Sequence, residues 1–282
     1  MRNVLGAILV LVLAWGCTAT YEDDLPEYES ELIIEAYVNQ VNPLLNYALL
    51  SKSLPYYDDN FEVEGIDKAK IVLYEGQKEG TELIWDSEGL EYEEFDQIPG
   101  LYLPPITSFF LGKEGYFYKL EVEYKGIKSV AFTQIPYIVP IDSIWVDNVF
   151  NPNRDTFEPF LRFLFTDPPQ FGNNYMIADY INAPTEWPLL WGTVNRIVVT
   201  EDLLFNDQPF VFSPIFPDRY GDTVNVYLIS VDQQTLEYWE SYEASRNNGG
   251  PFTQPINVNS NFDNARGTFQ GMAVDSKRII IE

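Results

Sequence analysis

The chain has 282 residues, of which 43 are acidic and 17 basic, so its formal net charge at pH 7 is −26. Charge of this sign repels polyanions, so we expect no nucleic-acid partner and no binding to anionic membrane surfaces, since both require Lys and Arg. The sequence contains no histidine, which excludes Ser-His-Asp and Cys-His catalysis together with His-ligated zinc. The same charge would also simply keep a surface protein soluble.

The N-terminal segment has the organisation of a lipoprotein signal peptide. Residues 4–14 form an uninterrupted apolar run after Arg2, too short to span a bilayer but of the right size for a signal-peptide core. Gly16 directly precedes Cys17, the only cysteine. We therefore predict that residues 1–16 are removed and that Cys17 is lipidated. The alternative is an ordinary secreted protein that is cleaved after Gly16.

An acidic tether is expected over residues 17–31, which carry six carboxylates and no cation. Such a run is normally solvated. Acidic residues soon after the lipidated cysteine also resemble the surface-export signal of Bacteroidota lipoproteins. That resemblance implies a lipid-anchored protein of the outer membrane that faces the cell exterior.

Short strands separated by turn residues follow the tether. Residues 116–124 alternate between apolar and polar side chains, which is typical of a strand with one buried face. Further strands are expected at residues 32–38, 47–50, 70–74, 82–85, 101–103 and 127–132. Their regular spacing predicts an Ig-like β-sandwich domain over residues 32–136.

A second domain is predicted over residues 137–282, because Pro136 and Pro140 bracket a pause in the strand pattern. Longer loops separate its expected strands, which lie at residues 144–149, 160–165, 175–181, 194–200, 223–231 and 278–281. The chain as a whole is thus predicted to be all-β, with two sandwich-like domains, the second of which has long loops and one helix.

That helix is expected near residues 233–246. Asp232 can cap its N-terminus, and Leu236, Trp239 and Tyr242 recur at a spacing of three. The aromatic side chains are expected to pack against a sheet, although stacking against a ligand remains an alternative.

A cluster of aromatic and apolar residues forms the first candidate binding site. Its members are Trp187, Leu190, Trp191, Phe210, Phe212 and Phe216. If they are exposed, they make a platform for a protein partner or a ligand, because Trp is favoured at such sites. If they are buried, they close the end of a sandwich. The sequence leaves both interpretations open.

A structural calcium ion is the one cofactor for which the sequence offers donors. The oxygen-bearing side chains at short spacing belong to Asp147, Asn151, Asn153 and Asp155, and a second acidic loop covers residues 57–60. The first segment lacks the spacing of a known calcium loop. Its asparagine-proline pair is equally typical of an ordinary turn.

Seven segments of the chain, taken in order, carry a family resemblance. They are residues 32–39 (LIIEAYVN), 47–53 (YALLSKS), 63–74 (VEGIDKAKIVLY), 115–122 (GYFYKLEV), 140–144 (PIDSI), 223–238 (TVNVYLISVDQQTLEY) and 251–271 (PFTQPINVNSNFDNARGTFQG). Together they resemble an uncharacterised Bacteroidota lipoprotein family catalogued as domain of unknown function 4249.

The resemblance implies a non-catalytic surface lipoprotein that is an accessory subunit of a TonB-dependent outer-membrane transporter. The alternative is a stand-alone lipoprotein that binds a small ligand, whether a glycan, a peptide or a metal complex. A third hypothesis is a glycoside hydrolase that uses paired carboxylates. We expect no enzymatic activity and no catalytic residues, because the motifs of other hydrolases and of phosphate loops are absent from the sequence.

Overall fold

The computed structural model describes residues 29–54, 64–183, 185, 187–188, 190–214, 218–248 and 256–282. Its strands are β1 (Leu32–Asn39), β2 (Ala48–Lys52), β3 (Lys70–Glu79), β4 (Glu82–Trp85), β5 (Leu90–Glu91), β6 (Glu93–Glu94), β7 (Leu101–Leu103), β8 (Phe117–Tyr124), β9 (Ile127–Gln134), β10 (Ile141–Asn151), β11 (Thr156–Thr166), β12 (Asn174–Ile181), β13 (Arg196–Glu201), β14 (Pro209–Phe212), β15 (Thr223–Val231) and β16 (Arg266–Ile280). In the described ranges a single α-helix, α1 (Gln233–Asn247), accompanies them. The prediction of an all-β fold with a helix in its second half is confirmed.

A large sheet lies at the centre of the molecule. Its eight strands follow the order β13-β12-β15-β16-β1-β2-β7-β6. The long strand β16 pairs in parallel with β1 through its first half and antiparallel with β15 through its second half. Strands from both sides of residue 136 therefore belong to one continuous sheet.

Two smaller sheets cover one face of the central sheet. One contains β3, β4, β8 and β9 with β5 at its side, and the other has the order β10-β11-β14. Alternating side chains of β1 and β16, such as Ile34 and Phe269, pack under the first of these sheets. Tyr175 and Leu228 of the neighbouring strands pack under the second. Each half is thus sandwich-like, and the central sheet is common to both.

The opposite face of the central sheet is covered by α1 and by loops. Its buried side chains include Tyr37, Tyr227 and Met272. Trp239 of α1 packs on this layer, together with residues of the loop between β12 and β13. Successive side chains of β1, β15 and β16 thus point to opposite faces of the central sheet, and both faces are buried, one under the two smaller sheets and the other under α1 and loops.

Strand β16 is much longer than the sequence analysis predicted, since it begins at Arg266 whereas a strand was expected only from residue 278. Glycine and buried polar residues interrupt the alternation of apolar and polar side chains by which a strand is recognised in the sequence. A Cβ atom at Gly271 would lie 2.3 Å from the backbone oxygen of Gln134, so this position accepts only glycine where β9 crosses β16. Gln270 is fully buried beside it.

Candidate functional site

Trp191 lies in the core and not on a surface platform. Its residue surface is 2 % exposed. Its indole makes an edge contact with the ring of Tyr227 at a centroid distance of 5.7 Å, and its backbone N–H donates to the Tyr47 hydroxyl at 3.1 Å. The exposed interpretation is therefore wrong for this residue, because the central sheet needs an apolar cover on this face.

Trp187 and Leu190 belong to the same cover. The ring of Trp187 stacks on Tyr227 with centroids 5.5 Å apart, and both residues are half-buried against the core layer. The segment is therefore packed against the sheet, with only part of each side chain accessible to a partner.

The phenylalanines of β14 are also largely committed to packing. Phe210 stacks on Phe205 at a centroid distance of 4.2 Å, and Phe212 lies 5.2 Å from Phe163. Phe216 lies outside the described residues. The structure thus does not assemble the six predicted residues into one exposed surface.

The candidate calcium donors lie on the β10–β11 hairpin and do not converge. Asp147 forms an ion pair with Arg162 at 2.6 Å. The side-chain oxygen of Asn151 accepts the backbone N–H of Asn153 at 3.0 Å, and Asp155 has a left-handed φ of 52°. Both features belong to the turn. Asp147 and Asn151 are four positions apart along the extended strand, a distance of roughly 13 Å.

Further predictions fall on segments that the structure does not describe, namely the signal peptide at residues 1–16, lipidated Cys17 with the tether up to residue 28, and the acidic loop at residues 57–60. Within the described part of the chain, no group of three or more acidic, histidine or cysteine side chains is placed to hold a metal ion.

A cleft of about 770 Å³ lies beside α1. Residues of β1, α1 and β13 line it, together with the end of β14 and the residues that follow β14. The principal lining residues are Glu35, Tyr37, Asp179, Arg196, Ile197, Val198, Phe212, Pro214, Tyr238, Trp239, Tyr242, Glu243 and Arg246. We call this cavity the α1 cleft.

Local interactions fix α1 in the position that forms this cleft. Asp232 accepts the backbone N–H of Thr235 at 2.8 Å, which confirms it as the N-cap. Leu236 is buried. The indole N–H of Trp239 donates to the Gln270 side-chain oxygen at 3.1 Å and so ties the middle of the helix to β16. Trp239 packs on the sheet, as predicted, and it lines the cleft together with Tyr238 and Tyr242.

The helix presents an aromatic wall to the cleft. The rings of Tyr238 and Tyr242, one turn apart, are nearly parallel at 11° with centroids 6.2 Å apart. The Trp239 ring meets Tyr242 edge-on at 5.5 Å. Burial, together with the negative charge of Glu35, raises the pKa of Tyr238 to about 12. The Tyr238 hydroxyl therefore stays uncharged at neutral pH, and the wall offers half-buried aromatic surface to a ligand.

An ion triad of two buried acids and the half-buried Arg196 closes the cleft at β13. The Arg196 guanidinium contacts Asp179 through Nε and Asp218 through Nη2, the latter at 2.9 Å. Asp218 also accepts the Leu161 backbone N–H at 2.8 Å. Burial raises the pKa of Asp179, while the charge of Arg196 opposes that shift. Because Arg196 bridges both acids, they do not form the free acid-and-base pair that a glycosidase requires.

The remaining charges at the cleft are mainly negative. Glu35 accepts the Tyr37 hydroxyl at 2.6 Å, and Glu243 lines the cleft with an exposed side chain. Arg246 sits over the Tyr242 ring at 5.9 Å. With Arg196 neutralised by two acids, the cleft is suited to neutral or cationic groups more than to anions.

The β13 strand contributes an open sheet edge to the cleft. Among the described strands it is the outermost of the central sheet, and there it pairs only with β12. Directly after it, the Asp202 backbone N–H donates to the Asn173 oxygen at 3.1 Å. The backbone N–H and C=O groups of Asp202 therefore face β12. Because these groups alternate in direction from one residue to the next, those of Ile197 and Val199 point away from β12.

A second, smaller depression of about 300 Å³ lies on exposed loops. Leu44, Ile106 and Phe109 surround it and are largely exposed. Sequence analysis did not single out this patch or the α1 cleft. For the cleft, the only sequence signal was the aromatic face of the helix.

The model of the family described as "Domain of unknown function (DUF4249)" matches residues 18–278 of this chain. None of the curated proteins matches it. In the described residues, no helix combines the length and the apolar character needed to cross a membrane.

Proposed function

We propose that this chain, which belongs to the DUF4249 family, is a non-catalytic cell-surface lipoprotein that captures a ligand in the α1 cleft. In this proposal it acts as an accessory subunit of a TonB-dependent outer-membrane transporter. Lipidation at Cys17 and placement on the outer membrane are supported by the signal-peptide pattern and the acidic tether.

The observation that carries the ligand-binding proposal is the α1 cleft itself. Its volume of about 770 Å³ falls within the range of roughly 300–1,000 Å³ that is typical of small-ligand sites. The combination of an aromatic wall with a few polar groups is also typical of such sites. The buried acids near the cleft, Asp179 and Asp218, both form ion pairs with Arg196. The side chains of the cleft therefore favour ligand binding over hydrolysis.

A matched pair of substitutions tests this proposal. Val198 on β13 lines the cleft and is 44 % exposed, while Val211 on β14 is 43 % exposed and does not line the cleft. Replacing Val198 by Trp would fill the cleft without disturbing the core. Val211→Trp adds the same bulk to another edge strand and serves as the control.

Both variants and the wild type would be screened by thermal shift against three synthetic pools: short neutral oligosaccharides, octapeptides and ferric trihydroxamates. At a free ligand concentration of about 100 times Kd, binding should raise the Tm of the wild type and of V211W by about 5 °C or more. V198W should show no such rise. A pool that stabilises V198W as strongly as the wild type would contradict binding in the cleft.

A second candidate function is docking of a partner protein, which the exposed patch of Leu44, Ile106 and Phe109 favours. Clustered exposed apolar residues are a feature of protein contact sites. The test is a mild-detergent pull-down from outer membranes with the Ile106→Asp variant, with Ile127→Asp, at another exposed position, as control. Loss of a stoichiometric transporter with I106D alone would support docking through this patch, and equal recovery with both would reject it.

A further inference from the structure

In the described part of the chain, the outer edge of β13 is unusual because it is apolar and no other strand pairs with it. Edge strands in soluble proteins are normally blunted by lysine, proline, bulges or a covering segment. The sequence of β13 is RIVVTE, and its central Ile197, Val198 and Val199 carry no such device. Among the described residues, no backbone hydrogen bond reaches the outward-facing groups of Ile197 or Val199. This edge therefore presents unpaired donors and acceptors inside a cleft.

The surroundings of this edge are shaped for one additional strand. On one side stands α1, with Trp239 and Tyr242, and on the other side stand Phe212 and Pro214. Side chains of an extended strand alternate between its two faces. A strand beside β13 would direct one set toward the aromatic wall and the other toward the segment that follows β14.

We propose that the ligand of the α1 cleft is an extended peptide of neutral or basic composition, which pairs with β13 as a ninth strand of the central sheet. This inference rests on the proposed function and names its ligand class. Backbone pairing with Ile197 and Val199 supplies affinity, as in other cases of strand addition to a sheet edge. The flanking walls select the side chains of the peptide.

Charge distinguishes the peptide from the other strands that could occupy this edge. Glu35 and Glu243 lie at the cleft, and Glu201 ends β13. The acidic tether of this chain would meet repulsion there, because it carries six carboxylates and no cation. A second copy of β13 would bring together two chains that each carry a formal charge of −26. A neutral or basic segment from another molecule avoids both costs.

The test begins with a library of neutral and basic octapeptides, from which the tightest binder to the full mature protein is selected and measured by calorimetry. Val199→Pro removes an outward N–H of β13 without removing a ladder bond to β12. The Asp167 N–H donates to the Gln208 oxygen, so Gln208 faces β11. Since directions alternate along the strand, Val211 faces away from β11, and Val211→Pro removes an outward N–H of β14. It is the matched control.

We expect V199P to weaken binding of the selected peptide at least about tenfold, the equivalent of ~1.4 kcal/mol, and V211P to leave it unchanged. N-methylation of the peptide, one residue at a time, should weaken binding at alternate positions. This scan uses the wild-type protein and so decides the question even if V199P fails to fold. Sedimentation should show a monomer with and without the peptide.

Three results of these binding and sedimentation measurements would overturn the inference. They are equal binding by V199P and V211P, N-methylation effects without alternation, and self-association of the protein through β13. Stabilisation by the oligosaccharide or ferric pool alone, lost in V198W, would also overturn the peptide inference while leaving the cleft as a ligand site. Absence of binding to all three pools would remove both the inference and the proposed function.

Discussion

The carboxylate of Asp232 joins the start of α1 to β9, since it accepts the Thr133 hydroxyl at 2.7 Å while it also caps the helix. It accepts the Gln134 backbone N–H as well, at 3.2 Å. The same Thr133 hydroxyl accepts the backbone N–H of Gly271 at 2.7 Å. One carboxylate thus links the helix that walls the cleft to two sheets.

Asp232→Ala should therefore lower the free energy of unfolding by more than the loss of an ordinary helix cap does. Loss of a cap costs about 0.5–2 kcal/mol, and the lost hydrogen bonds from Thr133 and Gln134 should bring the total to roughly 2–3 kcal/mol. Urea denaturation measures this difference. The control is Glu240→Ala on the exposed side of α1, for which we expect a change within about 0.5 kcal/mol. Equal costs for the two variants would show that the link to β9 is not stabilising.

Arg196→Gln should be strongly destabilising, because it leaves Asp179 and Asp218 without their counter-charge. Removing one partner of a buried ion pair typically costs about 3–5 kcal/mol. The control, Arg154→Gln, breaks the exposed ion pair with Glu158 and should cost no more than about 1 kcal/mol. Denaturation of both variants at neutral pH measures the difference.

The deficit of R196Q should shrink as the pH falls. Burial raises the folded-state pKa of Asp179, so its contribution to stability is fully present below the unfolded pKa of about 3.9 and is lost as pH rises through the folded value. Loss of Arg196 raises the folded pKa further. Denaturation should therefore show a smaller deficit at about pH 4.5 than at neutral pH, and a pH-independent deficit would contradict this cause.

Trp191→Ala should unfold the protein more readily because it opens a cavity against Tyr227. Large-to-small changes of buried aromatic residues cost about 3–5 kcal/mol. The comparison is Leu204→Ala, at a position that is 97 % exposed, where a change within about 0.5 kcal/mol is expected. If W191A kept wild-type stability and lost a binding partner instead, the placement of Trp191 in the core would be wrong.

Tyr238 should titrate late in an alkaline absorbance titration. With a folded pKa of about 12 against about 10 when unfolded, its contribution to stability is present below pH ~10 and lost as the pH rises toward 12. The wild-type curve minus that of Tyr238→Phe should isolate this late step. Glu35→Gln should move the step to lower pH, and a step near pH ~10 in the wild type would contradict the burial of this hydroxyl.

Cys17→Ser should release the protein from the membrane fraction, because the lipid anchor would no longer form. Labelling with a radioactive fatty acid would show incorporation in the wild type and none in C17S. Soluble wild-type protein without label would favour the secreted alternative.

Local patterns were sufficient to predict α1 and most strands. The cap at Asp232 and the spacing of Leu236, Trp239 and Tyr242 are contained within one helix, and the structure places that helix at Gln233–Asn247. Alternation similarly predicted β8, and a strand was expected at residues 223–231, where the structure has β15. These elements are readable because the signal and the structure occupy the same short segment.

The cleft could not be predicted in the same way. Glu35, Val198 and Tyr242 come from three distant segments, and they meet only because β1 and β16 pair in parallel and order the central sheet. Trp191 is likewise buried by the face of that sheet that carries Tyr227, and the sequence around Trp191 contains no pattern that predicts this contact. The sequence supplied the residue types, while long-range pairing determined which of them share a site.

The most direct test of ligand capture by the α1 cleft is native mass spectrometry of the wild type, V198W and V211W, each purified in mild detergent from the cells that make the protein. We predict that the wild type and V211W carry the same bound ligand mass and that V198W lacks it. The same ligand mass on all three proteins, or no ligand on any of them, would contradict capture in this cleft.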